Sequence, residues 1–266
     1  RARREHHGGL QQWAWTGGSE MFFQAGFAAR NAVASVALAA AGAFGSPNAI
    51  DGEAGLCAAL GKPEAGARIR PFAASPEILS VYHKAVPACN FAQTPALAAL
   101  QLARSRQIDP ARITAVDIRV PLAGARYPGC DFRGPYANVL QGKMSIQYNV
   151  AAALVAGEIT ERNFSRLDDP RVHRLVALSS LAIDDAFTAA YPGLQGGEIA
   201  IVLDDATRHS VRLDNVIHAT DDDVGIRFRA AATDIFGAAR AAEIAAVIDS
   251  LDTLPDAGAL ARLLRA

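Results

Sequence analysis

The chain has 266 residues, 51% hydrophobic and 20% charged, which is enough apolar material for one large domain or two modest ones and too much for a disordered chain. Its 26 basic and 27 acidic residues leave a net charge of −1, so no net field draws it to nucleic acid or to an anionic membrane. Three widely separated cysteines, Cys57, Cys89 and Cys130, exclude a complete disulfide framework and CxxC-type metal spacing, and point to a reducing compartment, the cytoplasm.

Residue 1 is Arg rather than Met, as expected of a chain that was processed, trimmed or cut from something longer. Residues 1–20 read as a loop, and Arg1, Arg3, Arg4 and the adjacent His6-His7 fit a solvated end rather than a binding site. Residues 26–43 are rich in small residues without proline, which predicts a close-packed helix suited to a crowded all-α core. The apolar run within it, residues 32–44, is too short to span a bilayer. Residues 50–60 suggest another short helix, and residues 61–76, with three prolines and two glycines, a connector. Residues 77–84 fit a short helix or strand. Residues 95–107 predict a helix with Pro95 first and Thr94 as N-cap.

The segment 113–120 alternates as a strand whose apolar face is Thr114, Val116, Ile118 and Val120. Residues 122–138 read as loop, 143–157 as a buried helix ending at Gly157, and 170–186 as a helix beginning at Pro170. Residues 198–203 and 209–216 predict a hairpin turning at Asp204 to Thr207. Helices follow near 225–237, 239–251 and 256–265. Asp221-Asp222-Asp223 lacks the spacing of a calcium loop and fits the acidic flank of a helix N-terminus. The order of elements is helices, an α+β block, then helices again: a mostly α chain with an α+β insert, read as a discontinuous all-helical domain plus a smaller domain.

No GxGxxG, GxxxxGK[ST], HExxH or GxSxG occurs, so nucleotide, zinc-protease and serine-hydrolase sites have no motif to stand on. Three longer stretches carry a resemblance: AGFAARNAVASVALAAAGAFGSPNAIDGEAGLCAAL (25–60), HKAVPACNFAQTPALAAL (83–100) and KMSIQYNVAAALVAGEI (143–159). In order and interval they resemble the C-terminal portion of MmgE/PrpD proteins, the family of 2-methylcitrate dehydratase and cis-aconitate decarboxylase. The hairpin GEIAIVLDDATRHSV and the helix GIRFRAAA after it extend the resemblance.

The resemblance implies a helical domain from residues 1–85 and 217–266, interrupted by an α+β lid domain at 86–216. The N-terminal half of the family's helical domain has no counterpart in these residues. It also implies removal or addition of a group next to a carboxylate on a small di- or tricarboxylic acid, with no cofactor or metal, and a homodimer formed through the helical domain. Such chemistry needs cations for the carboxylates and a tuned group to move a proton.

Family positions place Lys84, in "K-x-x-P-x-C", as the first candidate, with Tyr148 and Cys89 beside it as catalytic residues. Lys143, Arg30 and Gln93 follow as substrate contacts. Each also has a plainer reading: Lys84 a lysine at a domain hinge, Lys143 a solvated helix start, Tyr148 a helix-packing tyrosine, Cys89 a buried structural thiol, Arg30 a structural cation. Met21, Gln24 and Gln93 stand where better-known members have lysine or histidine, and a glutamine cannot move a proton at neutral pH. A lyase with a partly different residue set, a non-catalytic metabolite-binding relative or partner subunit, and a truncated product all remain open on these residues.

Overall fold

The computed structural model describes residues 11–69 and 77–265. The basic cluster at Arg1 to Arg4, the His6-His7 pair and part of the 61–76 connector lie outside them. Three helices open the described chain: α1 (Trp13–Thr16), α2 (Met21–Ala40) and α3 (Leu56–Ala59). The alanine-rich helix forms as composition predicts, although it starts five residues earlier. The expected crowded core around it is absent from the described residues: no α2 residue is buried, and Phe22, Phe23, Phe27, Val33, Val36 and Leu38 are all exposed. Past Met21, which packs against the core, local propensity rather than burial builds this helix.

Ala14 joins the main core, whose other members run from Val86 onward. A 3-10 turn at Asn90–Ala92 leads into α4 (Gln93–Arg106). Thr94 is not its N-cap; it lies inside the first turn, fully buried, and donates to the Gln195 carbonyl at 2.7 Å. Strand β1 (Ile113–Val120) follows, then a four-residue helix α5 (Leu122–Ala125) inside the stretch read as loop. From Val116 on, β1 keeps the predicted face, with Val116, Ile118 and Val120 buried. A register irregularity between Ile113 and Ala115 reverses its start, so Ile113 is buried and Thr114 is exposed, donating to the Val202 carbonyl at 3.1 Å.

The helix expected over 143–157 is two helices, α6 (Val139–Met144) and α7 (Ile146–Ala156). Ser145 breaks them: its backbone is extended and its Oγ accepts from Tyr148 N at 3.0 Å, capping α7. Gly157 ends α7 in the left-handed region, as expected.

The region read as one helix over 170–186 is three elements: α8 (Pro170–Ala177), β2 (Ser179–Ile183) and α9 (Asp185–Ala190). The start was legible, since Asp169 caps it and Pro170 opens it. The strand was not, because its short sequence SSLAI has little strand signal. It is set by parallel pairing with β1, Val116 opposite Ser179 through Val120 opposite Ile183.

Strands β3 (Gly197–Leu203) and β4 (Arg208–Leu213) form the predicted hairpin. Among the described residues the strands make one mixed sheet in the order β2-β1-β3-β4. Helices α4 and α7 pack together beside it, and Ile113, Ile118, Ile146, Ile199 and Ile201, all essentially inaccessible, knit the layers. Each such side chain contributes about 1.5–3 kcal/mol by leaving water.

The chain then returns to helix: α10 (Asp221–Phe236), α11 (Ala238–Asp249) and α12 (Gly258–Leu263). The acidic triplet opens α10, where Thr220 and Asp223 cap each other's backbone amides. Where the chain enters and leaves the α+β core, Lys84 and His218 pair as an isolated antiparallel bridge, Ala219 N donates to the His83 carbonyl at 2.9 Å, and the Tyr82 ring stacks on His218 at 4.1 Å. No helix among the described residues is long and apolar enough to cross a membrane.

Candidate functional site

Beside this crossing point lies an open cleft of about 1230 Å³. One wall is the segment from Tyr82 to Phe91; the others come from Ala123 to Pro128, from α6, and from Arg227 on α10, with Trp13, Met21 and Phe22 at its rim. The volume is of the size that holds small ligands, and its lining mixes aromatic surface with several cations.

Local sequence explains how the first wall is held. Gln93, at the start of α4, is fully buried and folds its amide back over the preceding loop. Its Oε1 accepts from Val86 N at 3.1 Å, and its Nε2 donates to the carbonyls of Val86 (2.9 Å) and Ala88 (3.1 Å). Asn90 adds a second clamp, exchanging hydrogen bonds with Gln195, whose Nε2 donates to the Asn90 carbonyl at 2.7 Å. The Tyr82 hydroxyl donates to Asn90 Oδ1. The loop that presents Lys84 and Cys89 is thereby fixed by Tyr82, Asn90 and Gln93 from its own sequence and by Gln195, just before the third strand.

Lys84 lines the cleft and spends one donor on the Ala88 carbonyl at 3.2 Å, which leaves two ammonium hydrogens free in geometry for a ligand. Arg227 Nη1 donates to the Lys84 carbonyl at 2.6 Å, so α10 holds this position from outside the loop. Lys143 also lines the cleft, but its ammonium is bound by both Glu161 oxygens, at 2.9 and 2.7 Å, and lies over the Phe164 ring. A carboxylate reaching Lys143 has to compete with Glu161. Arg126, at the end of α5, lines the cleft with no side-chain ion pair or hydrogen bond among the described residues.

Cys89 lines the cleft too, and its Sγ lies 3.6 Å from that of the fully buried Cys130. The hydrogen bond from the Cys130 thiol, with help from the Phe91 amide and the Lys84 charge, outweighs burial and brings the Cys89 thiol down to about 7. The same pairing, together with burial, pushes Cys130 well above the ordinary thiol range. Lower affinity for the proton means that the Cys89 thiolate forms at lower pH. Alkylation of Cys89 by iodoacetamide is therefore expected to rise with a midpoint near pH 7, not near the ordinary thiol value of about 8.5, with Cys130 unreactive in the same window. Peptide mass mapping of samples labelled across a pH series checks this; equal labelling of both thiols would contradict it.

The other sequence candidates are not brought to the cleft. The hydrogen bond expected from Tyr148 to a substrate finds its hydroxyl committed to the Asn163 carbonyl at 2.7 Å; the ring packs edge-on to Tyr136, and burial pushes its pKa up to about 12. Gln93 faces the loop backbone and is inaccessible to a ligand. Arg30 lies on exposed α2 with its guanidinium over Phe27, apart from the cleft lining. Arg126, Arg227, Glu161 and the nearness of Cys130 were not read from the sequence. Arg126 sits in an unpatterned stretch, and Cys130 is 41 residues from Cys89. Among the described residues no group of three or more His, Cys, Asp or Glu side chains gathers for a metal ion.

A profile of the MmgE/PrpD C-terminal domain matches residues 86–253, more than half of the chain. The chain belongs to the MmgE/PrpD family. The matched span contains the sheet, the hairpin and α10, and in the cleft it contains Cys89, Arg126, Lys143 and Arg227; Lys84 stands two residues before it. The mostly helical architecture with a small mixed sheet agrees with an α+β MmgE/PrpD C-terminal domain. A search of curated proteins finds no match to the chain.

Proposed function

We propose that this MmgE/PrpD chain binds a small di- or tricarboxylic acid in the cleft and acts there as a lyase of the 2-methylcitrate dehydratase type. The observation that carries the reading is the convergence of Lys84, Cys89, Lys143 and Arg126 on one cleft at the edge of the family-matched domain. Elimination next to a carboxylate builds negative charge on that carboxylate as the neighbouring carbon loses its proton, and fixed cations stabilise the developing charge. Lys84 supplies an ammonium with donors to spare, and Arg126 a planar guanidinium suited to a second carboxylate. The Cys89 thiol in this wall ionises near neutrality, as a proton acceptor requires.

Incubating the full chain with 2-methylcitrate, citrate and cis-aconitate separately, with product followed by proton NMR and binding by calorimetry, tests the reading. Turnover supports it; saturable binding without turnover replaces it with a metabolite-binding role; neither binding nor turnover sinks it. Replacing Arg126 with Gln is expected to raise KM, or Kd for a polycarboxylate, about tenfold, because one charge-assisted contact is lost. The thermal midpoint should hardly move, since Arg126 is exposed. An unchanged KM removes Arg126 from the site.

The division into helical segments at 1–85 and 217–266 around a lid at 86–216 belongs to the same proposal. It is supported by the isolated Lys84–His218 bridge, which ties the two crossing segments together close to those boundaries. The homodimer belongs there as well, and the exposed apolar residues of α2 are the surface it would cover.

A further inference from the structure

We infer that Cys89 and Cys130 form a redox-active dithiol, which a peroxide closes to an intrachain disulfide in the wall of the cleft. The inference rests on geometry and does not depend on the proposed reaction. The two sulfurs are already 3.6 Å apart, and a disulfide needs them at about 2.05 Å, a difference within reach of side-chain rotation.

Their backbones are tied to one short segment: Cys89 N donates to the Lys143 carbonyl at 2.9 Å, and the Cys130 carbonyl accepts from Ile146 N at 2.9 Å. The α6–α7 junction thus holds both cysteines as a pair. The two differ in access in the way a reactive and a resolving thiol must. Cys89 opens onto the cleft, whereas Cys130 is fully buried and reachable through its neighbour. The low affinity of Cys89 for its proton, beside Lys84, makes it the attacking member. Cys57, the remaining thiol, is buried on the α3 segment and does not line the cleft.

The chemistry balances with hydrogen peroxide as the oxidant. The Cys89 thiolate attacks one peroxide oxygen; the O–O bond breaks, hydroxide leaves and takes up a proton as water, and Cys89 becomes a sulfenic acid. The Cys130 sulfur then attacks Cys89 Sγ, the S–O bond breaks, a second water departs with the Cys130 proton, and the S–S bond forms. The peroxide is reduced by two electrons and the two thiols are oxidised by two. The product removes the Cys89 thiolate from the cleft until a thiol reductant restores it.

The full chain, reduced and freed of reductant, is treated with a few equivalents of hydrogen peroxide, alkylated under denaturing conditions and analysed as intact protein and as peptides. The expected result is loss of two hydrogens per chain, a linked peptide pair containing Cys89 and Cys130, one alkylated thiol (Cys57), and full reversal by dithiothreitol. Cys130→Ser should instead accumulate a Cys89 sulfenic acid that dimedone traps. Because Cys130 is buried and that variant can misfold, a second measurement uses the unaltered chain: a monofunctional trivalent arsenical should bind one per chain and protect both thiols from alkylation. Over-oxidation of Cys89 to sulfinic acid with Cys130 still alkylatable, links between chains in place of the internal pair, or no protection by the arsenical would each overturn the inference. All these readings are masses, so absence of turnover on polycarboxylates leaves them unaffected.

Discussion

Replacing Lys84 with Met is expected to lower kcat/KM on the turned-over polycarboxylate by about 10²–10³-fold, the loss typical of removing one fixed group that stabilises developing charge. The aliphatic stem survives the change, and among the described residues the side-chain bond lost is the partly buried one to the Ala88 carbonyl. Stability should fall by no more than about 1 kcal/mol. The loop keeps its shape because Gln93 and Asn90 hold it, and Arg227 grips the Lys84 carbonyl, which Met retains. Lys84→Arg restores the positive charge with a different donor geometry; recovery of KM with kcat still depressed would separate carboxylate binding from charge stabilisation at the reacting carbon. Steady-state kinetics beside a thermal melt for each variant measures this. A Met variant with undiminished turnover would make Lys84 the hinge lysine of the plainer reading.

The second large effect concerns folding. Gln93→Leu is expected to cost about 3 kcal/mol, because Val86 N loses its partner inside the protein and the carbonyls of Val86 and Ala88 each lose one of two donors, which the leucine cannot replace. The site is completely inaccessible, so water cannot enter without opening the loop. Urea unfolding should show a lower midpoint with an unchanged slope, and amide exchange at Val86 and Cys89 should speed up. Gln93→Glu keeps the acceptor for Val86 N but aims oxygens at two carbonyls, so it should be at least as damaging. If either variant melts with the parent protein and only weakens ligand binding, Gln93 is a substrate contact, as its family position suggested. The two Lys84 and Gln93 experiments together distinguish a group that faces the ligand from one that holds the loop carrying it.

Much of the helix and hairpin layout was legible because it is local. Asp169 with Pro170, Gly157 after an apolar run, and the acidic stretch behind Thr220 each place a helix end through hydrogen bonds made within a few residues. The hairpin followed from two alternating runs around Asp204 to Thr207 in the same way. Local rules failed where a partner distant in sequence decides. SSLAI becomes a strand only because β1 lies alongside it. Ser145 divides α6 from α7 although the residues on both sides favour helix. Tyr148 and Gln93 stood at promising motif positions, yet only packing determined that both side chains turn inward.

By itself, then, the amino-acid order determined the type of most elements, the family resemblance that the profile match bears out, and the nearness of Lys84 and Cys89 in the chain. Their spacing of five residues keeps them near each other whatever that segment folds into. Tertiary structure alone decided which cations join them. Arg126 arrives from the end of α5 and Arg227 from α10, which lies beyond the sheet in sequence. It also decided that Cys130 meets Cys89, because both backbones bond to the α6–α7 junction, a meeting that no spacing rule over 41 residues contains. It decided the exposure of α2 among the described residues as well: alanine makes that helix locally, but burial requires a surface to pack against, and past Met21 no pattern within the helix supplies one.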